Sequence, residues 1–384
     1  MDYKNYFDSK AYQSKNKNTK ELIRFFSKSE LKDLSENTIS IVGTNGKTST
    51  ANIIHKFLSQ EKIKSTKFIS PHLIDFKERI ESSSEQNFIN AFVEVKKFEE
   101  KAKLNLGYFE AFFLMSSKLF LLNNDQFFIC EAGIGGKLDT TSIIQSENVV
   151  LTNIGYDHQE LLGNSLLEIL EQKINISQNI KNLFVGELDN NLISKIHLLN
   201  KNVEEIHYSN FIAEKIDLDI EQLSYIQKNA LLALLVLEKI INYKHTDSIE
   251  DKVFEQPGRF EIVNNDPLKI IDGAHNVTGL QATLKDYAKK YNSKPIDVYI
   301  GFKIGKNYKD MILLISKYSF LNIYVINENQ FYQQEKLENI TNYLDSIKRK
   351  YEIVTLDHFD GNMNSSILIG SLYLVGEYKK RKKL

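Results

Sequence analysis

The stretch TISIVGTNGKTST, residues 38–50, decides how the rest of the chain is read. Ile39–Val42 is a short apolar run that reads as a buried strand. A glycine-rich loop follows, and then a helical pattern with Ile53, Ile54, Phe57 and Leu58 on one face. A phosphate needs backbone N–H groups converging at a helix N-terminus, and glycines that let the chain wrap it closely. It also needs a cation, which Lys47 supplies, and hydroxyls for phosphate oxygens and Mg2+, which Thr48 and Ser49 supply. The general P-loop has four residues between its glycines. Here Gly43 and Gly46 enclose only Thr44 and Asn45.

Composition sets the frame around this loop. At about 150 residues per domain, 384 residues imply two to three domains. With 42% apolar and 26% charged residues the chain is an ordinary globular sequence with enough length to bury a core, which excludes disorder as its main state. Forty-nine Lys and Arg against fifty Asp and Glu leave a net charge of −1, so no global field draws in nucleic acid. The basic run Lys379–Lys383 reads as a frayed, solvated tail. The single cysteine, Cys130, has no internal partner for a disulfide, which points to a reducing compartment. The longest apolar run, Ala230 to Leu237, has eight residues against the ~20 that span a bilayer, and MDYKNYFDSK lacks the apolar core of a signal peptide. A cytoplasmic protein is expected, with no membrane partner.

Strand and helix signals alternate outward from the loop. Lys67–Ile69, 127–130 (FFIC) and 148–152 (NVVLT) read as strands; 86–104, 108–122, 165–178 and 219–241 read as helices. After the turn signal Gln256-Pro257-Gly258 the alternation restarts. Strands are expected at 260–263, 269–272, 296–301, 321–326 and 366–369, and helices near 276–291, 306–317, 334–348 and 371–380. Two runs of alternation imply two α/β domains with mostly parallel sheets, residues 1–255 and 256–384.

Other chemistry-bearing residues gather at the expected strand ends. Glu131 opens EAGIGGKLDTT (131–141) directly after FFIC, where a carboxylate for Mg2+ belongs in a nucleotide-binding α/β domain. TNIGYDHQELLG (152–163) repeats the design with Gly155, Asp157 and His158; the histidine reads either as structural or as a ligand. Lys173 continues the apolar stripe 166, 169, 170, so it points inward, where its charge is disfavoured unless paired or modified. Snorkelling is the alternative reading. Asn229 interrupts the stripe 226, 230, 233, 237 and wants a partner such as the edge of a base. In the second domain, Arg259 of PGRF reads as a phosphate clamp, and Asp272, His275 and Asn276 follow another strand end. Together these residues describe a nucleotide held between two domains.

The ordered set GTNGKTS, SPHL with ERI (70–73 and 78–80), EAGIGGKLD, LTNIGYDH, EQK, QKNALLAL, PGRFE, DGAHN and GSLYLVGE (370–377) resembles the folylpolyglutamate synthase/dihydrofolate synthase family, relatives of the Mur peptide ligases. The resemblance spans roughly residues 38 to 377. It implies an N-terminal P-loop ATPase domain with a mostly parallel sheet, joined to a smaller Rossmann-like C-terminal α/β domain. It further implies that Gly43, Thr44, Asn45, Gly46, Lys47, Thr48 and Ser49 cradle the ATP phosphates. Ser49, Ser70, Glu131 and His158 are the implied Mg2+ ligands, with two ions expected. Lys173 matches a lysine that is carbamylated in the family, and Lys47, Lys173 and His158 are the expected catalytic set. Asn229 matches the adenine contact; Arg259, Asp272 and His275 match nucleotide contacts of the second domain. Several positions depart from the family pattern. Thr48 replaces a glycine common in the folate branch, Lys137 stands for Arg, Ser142 for Asn and Val277 for Pro, and 301–308 lacks the expected Asp-rich sequence.

The implied reaction is amide formation. The γ-phosphoryl of ATP passes to a carboxylate, the amine of L-glutamate attacks the acyl phosphate, and phosphate leaves. Closure about Pro257 would keep water out. The expected acceptor is dihydropteroate, a reduced folate or both, in a bifunctional monomer. A Mur-type cell-wall ligase with a UDP-linked substrate and a P-loop NTPase switch are the alternatives; SPHL with ERI and GSLYLVGE speak against the former.

Overall fold

A computed structural model describes residues 3–10, 19–81, 84–199, 204–207, 222–243, 255–327 and 329–383. The chain forms two compact units, Met1–His72 with Phe76–Val253, and Phe254–Leu384 with the short segment Leu73–Asp75.

The first unit is built on strands β1 (Thr38–Val42), β2 (Ser65–Phe68), β3 (Ile80–Glu81), β4 (Phe127–Glu131), β5 (Asn148–Asn153), β6 (Asn182–Glu187) and β7 (Glu204–His207). Among the described residues they form one sheet in the order β3-β2-β4-β1-β5-β6-β7, parallel except for the β2–β3 pair. The apolar runs TISIV and FFIC are buried on both faces, as parallel strands covered by helices must be. Phe128 and Cys130 of β4 join an aromatic-rich core with Phe7, Phe68, Phe112 and Phe113. Val149, Leu151, Leu183 and Val185 enter a second cluster with Leu170 and Ile174. The register, with Ile41 beside Glu131 and Val42 beside Leu151, brings the C-terminal ends of β4, β1 and β5 to one edge of the sheet.

Helices begin where the sequence offers caps. Ser165 with Glu168 closes a capping box at the helix Leu166–Ile174, and Ser224 with Gln227 does so at Tyr225–Ile241. The expected helix 165–178 stops at Ile174, where the Asn175 amide turns back to the Glu171 carbonyl at 2.8 Å. The expected helix 219–241 starts at Tyr225; residues 219–221 lie outside the described residues. The helix Tyr225–Ile241 packs on β6 and on the helix Lys47–Gln60 that follows the phosphate-type loop.

The second unit carries β8 (Glu261–Asn265), β9 (Leu268–Asp272), β10 (Ile296–Ile300), β11 (Leu321–Ile326), β12 (Tyr351–Val354) and β13 (Ser366–Ile369). Their order is β12-β11-β10-β13-β9-β8, with β8 antiparallel to β9 and the rest parallel. The basic run near the C-terminus corrects the expectation of a frayed tail. It forms the last turns of the helix Leu372–Lys382. Lys379 is buried and paired with Glu261, Lys382 is paired with Asp360, and Arg381 reaches Glu377 at 3.0 Å. Cations there also suit the negative end of the helix.

Candidate active site

Gly43 follows the end of β1 at a φ of +147°, and Gly46 caps the next helix at +84°, backbone values that L side chains rarely adopt. Close approach is the second reason for both glycines. A Cβ on Gly43 would run into Oγ1 of Thr152, and one on Gly46 into Oδ1 of Asn229. The end of β5 holds the loop between them. The Thr44 amide donates to the Asn153 carbonyl (3.0 Å) and the Asn45 amide to the Asn153 side chain (2.9 Å). The Thr152 hydroxyl donates to the Asn45 carbonyl (2.6 Å), and Gly155 N–H donates to the Thr44 hydroxyl (3.0 Å). Thr152 and Asn153 escaped the sequence reading as site residues. Their signal is a polar pair closing the apolar run VVL (149–151), at the strand that lies beside β1.

Two cations meet behind this loop. The Lys47 ammonium donates to the carbonyls of Gly43 (3.1 Å) and Thr44 (3.3 Å), and the Lys173 ammonium donates to Gly43 at 2.8 Å. Lys173 is 4% exposed, so the stripe placed it inward and the snorkelling alternative falls. Burial first, and then the neighbouring charge of Lys47, pull its pKa from the ordinary lysine value down to about 7, against the opposing pull of Asp157 and Asp139. The GIGG turn lies against the same helix. A Cβ on Gly136 would meet the carbonyls of Gln172 and Lys173, and the Lys137 amide donates to Gln172 at 2.7 Å. Asp139 fixes that turn, accepting from Ile134 N–H (2.8 Å) and from the amide and hydroxyl of Thr141 (3.0 and 2.9 Å). Gly136 therefore seats the loop on the lysine-bearing helix.

Glu131, 2% exposed at the end of β4, accepts from the Thr48 hydroxyl at 3.0 Å through both oxygens and from Ser70 N–H at 3.1 Å. The carboxylate, the Thr48 hydroxyl and the segment after β2 are thus one group. Ser49 is buried in the first turn of the helix Lys47–Gln60. His158 caps a four-residue helix at a φ of +51°, with Asp157 Oδ1 at 3.0 Å from its backbone amide and Glu160 Oε1 at 3.5 Å from its ring. SPHL and ERI come together: Arg79 Nε donates to His72 Nδ1 at 2.8 Å, its guanidinium lies 4.8 Å from the centre of the Tyr108 ring, and Ile69 N–H donates to the Arg79 carbonyl.

In the second unit Asp272 is 1% exposed and accepts from Phe260 N–H and Ala274 N–H, both at 2.8 Å. Arg259 donates to the Gly258 carbonyl (3.0 Å), and the His275 ring pairs with the Gly273 carbonyl (2.9 Å). PGRF and DGAHN form one joined turn, with Gly273 N–H donating to Gly258 at 2.8 Å.

A family model described as the Mur ligase middle domain matches residues 41–265. The dihydrofolate synthase/folylpolyglutamate synthase of Buchnera aphidicola subsp. Schizaphis graminum is 33% identical over 327 residues, covering 77% of this chain and 72% of that protein. Among solved structures, Escherichia coli FolC in complex with ADP superposes with a TM-score of 0.81 at 20% identity, over 99% of this chain and 97% of that one. The bifunctional folylpolyglutamate synthase/dihydrofolate synthase of Yersinia pestis, complexed with AMPPNP and Mn ion, gives 0.81 at 21% identity over 100% and 97%. At these identities the structural likeness is one of fold. With its middle domain matched over more than half of its length and a relative at that identity and coverage, the chain belongs to the dihydrofolate synthase/folylpolyglutamate synthase family of Mur-type ligases.

Proposed function

We propose that this chain joins L-glutamate to the carboxylate of a pterin or folate acceptor at the expense of ATP, accepting both dihydropteroate and reduced folate. The observation that carries the reading is the meeting of Lys47 and Lys173 at the Gly43 carbonyl, with the Thr48–Glu131 pair joined to the same loop. A glycine turn at a helix N-terminus with the Lys47 ammonium beside it fits a polyphosphate. A buried carboxylate with hydroxyl neighbours fits a hard divalent cation.

Gly43 to Ser49 are the residues that would hold the nucleotide phosphates, with Lys47 balancing charge on the group in transfer. Ser49, Ser70, Glu131 and His158 would hold Mg2+, two ions in all. When bound, Mg2+ supplies charge neutralisation at the phosphate oxygens. Lys173, with its pKa near 7, carries a substantial neutral fraction at neutral pH, the form that reacts with CO2, and the carbamate would orient metal or substrate. Asn229 is assigned the adenine as well as its place over Gly46, and Arg259, Asp272 and His275 are assigned nucleotide contacts on the family correspondence. The functional protein is proposed to be a cytoplasmic monomer. Among the described residues no helix is long and apolar enough to cross a membrane.

The test is phosphate release from ATP by the purified chain, with and without L-glutamate and each acceptor. Turnover that requires glutamate together with dihydropteroate, and also with a reduced folate, is expected. Dependence on a UDP-linked acceptor would replace the reading with a cell-wall ligase, and turnover indifferent to both substrates would replace it with an NTPase switch.

A further inference from the structure

At the far edge of the first sheet, β7 carries Glu205 and His207, two residues apart and therefore on one face of the strand. His197, in the last turn of the helix Asn190–Leu199, meets them there. Its Nδ1 lies 2.9 Å from Oε1 of Glu205, and Nε2 of His207 lies 3.1 Å from Oε2 of the same carboxylate. The ligand atoms of the three side chains all fall within 4.8 Å of one another. Among the described residues this is the one group of three or more His, Cys, Asp or Glu side chains gathered so closely. None of the three belongs to the nucleotide loop, the Glu131 group or the Lys173 helix.

We propose that His197, Glu205 and His207 form a binding site for a first-row transition ion of the Zn2+ class, separate from the nucleotide site. Two imidazoles and one carboxylate are the donor set that such an ion prefers; Mg2+ prefers oxygen donors and holds water tightly, so it does not compete well here. Exposure fits a site with a fixed floor and an adjustable wall. The side chains of Glu205 and His207 are 7% and 12% exposed, whereas that of His197 is 62% exposed. A tetrahedral ion holds its ligands about 2.0–2.1 Å away, which sets them about 3.4 Å from one another, so the exposed imidazole closes the site by a small swing. Three protein ligands leave the fourth position to water from the exposed side. Seated there, the ion ties the end of a helix to β7, the last strand of the sheet among the described residues.

The experiment uses the full chain, stripped with a chelator and held in excess Mg2+ so that the oxygen-rich site is taken. Titration with Zn2+ is followed by calorimetry, and titration with Co2+ by visible absorption, since four-coordinate Co2+ absorbs far more strongly than six-coordinate Co2+. One equivalent bound at micromolar affinity or tighter is expected, with a rise in Tm. His197→Ala, on an exposed helix position, and Glu205→Gln should each weaken binding at least about tenfold. Neither should change Mg2+-dependent ATP turnover. Absence of Zn2+ binding below about 1 mM, or binding unaltered in both variants, overturns the site and leaves a carboxylate hydrogen-bonded between two imidazoles.

Discussion

Lys173 holds its ammonium on the Gly43 carbonyl in a setting that disfavours the charge it carries there. The sign of the consequence follows from linkage. With a folded-state pKa near 7, below the ordinary value of the unfolded chain, the unfolded state binds more protons between about pH 7 and 10.4. Stability therefore rises with pH across that window, and the penalty is full below it. Lys173→Met should raise Tm in CO2-free buffer more at about pH 6 than at about pH 9.5, where the wild-type lysine has largely shed its penalty. Equal shifts at both values, in thermal melts of the nucleotide-free protein, would remove the burial argument. Thr48 carries a second prediction at this scale. Its hydroxyl donates to a carboxylate that is 2% exposed, a charge-assisted contact of about 1.5–3 kcal/mol. Thr48→Val keeps the shape, so it should fold, require about tenfold more Mg2+ for half-maximal ligation and turn over more slowly. Thr48→Ser should restore both. An unchanged Mg2+ titration in the valine variant would show that the hydroxyl does not position Glu131.

At the scale of the element, the turn from β1 into its helix is fixed from outside by Asn229 and by the end of β5. Gly46→Ala meets two separate obstacles, a φ of +84° and the Asn229 side chain. The backbone part alone is about 1–2 kcal/mol. A double-mutant cycle by denaturant unfolding should therefore show Gly46→Ala as less destabilising in the Asn229→Ala background, with a coupling of about 0.5–3 kcal/mol. Strict additivity would mean that Asn229 does not bear on the loop. The same region shows what a sequence can reveal. Gly43, Gly46 and Lys47 were legible because phosphate chemistry restricts residue type and spacing together, and Lys173 because a helix stripe has a period. Thr152, Asn153 and Asp139 were not, because their partners are backbone groups brought near by strand pairing 107 or more residues apart, or by the local shape of a turn. β6, β7 and β12 lie outside the elements read from the sequence; β7 and β12 have only four residues each and β12 only partial burial, so neither offers a clear apolar run.

Within the whole molecule, the second unit depends on its final helix. Val375 and Tyr378 are in its core, and Lys379 pairs with Glu261, whose other oxygen accepts from Gly258 N–H at 2.6 Å. Breaking this half-hidden pair with Lys379→Met leaves Glu261 without its cation and should destabilise by about 3 kcal/mol. The double variant with Glu261→Gln should recover part of that loss in denaturant unfolding; a loss no smaller in the double variant would assign the effect to packing of the lysine stem. In the first unit, the one cysteine of the chain lies in β4 immediately before Glu131, fully buried, with its thiol pKa pushed well up by burial and by the charges of Asp139 and Glu131. Thiolate is the reactive form, so the closed protein is nearly inert to alkylation. Cys130 is thereby a built-in clock. Its rate of labelling counts the openings of the strand that carries Glu131, and any nucleotide that favours the closed form should slow that clock in proportion to its occupancy.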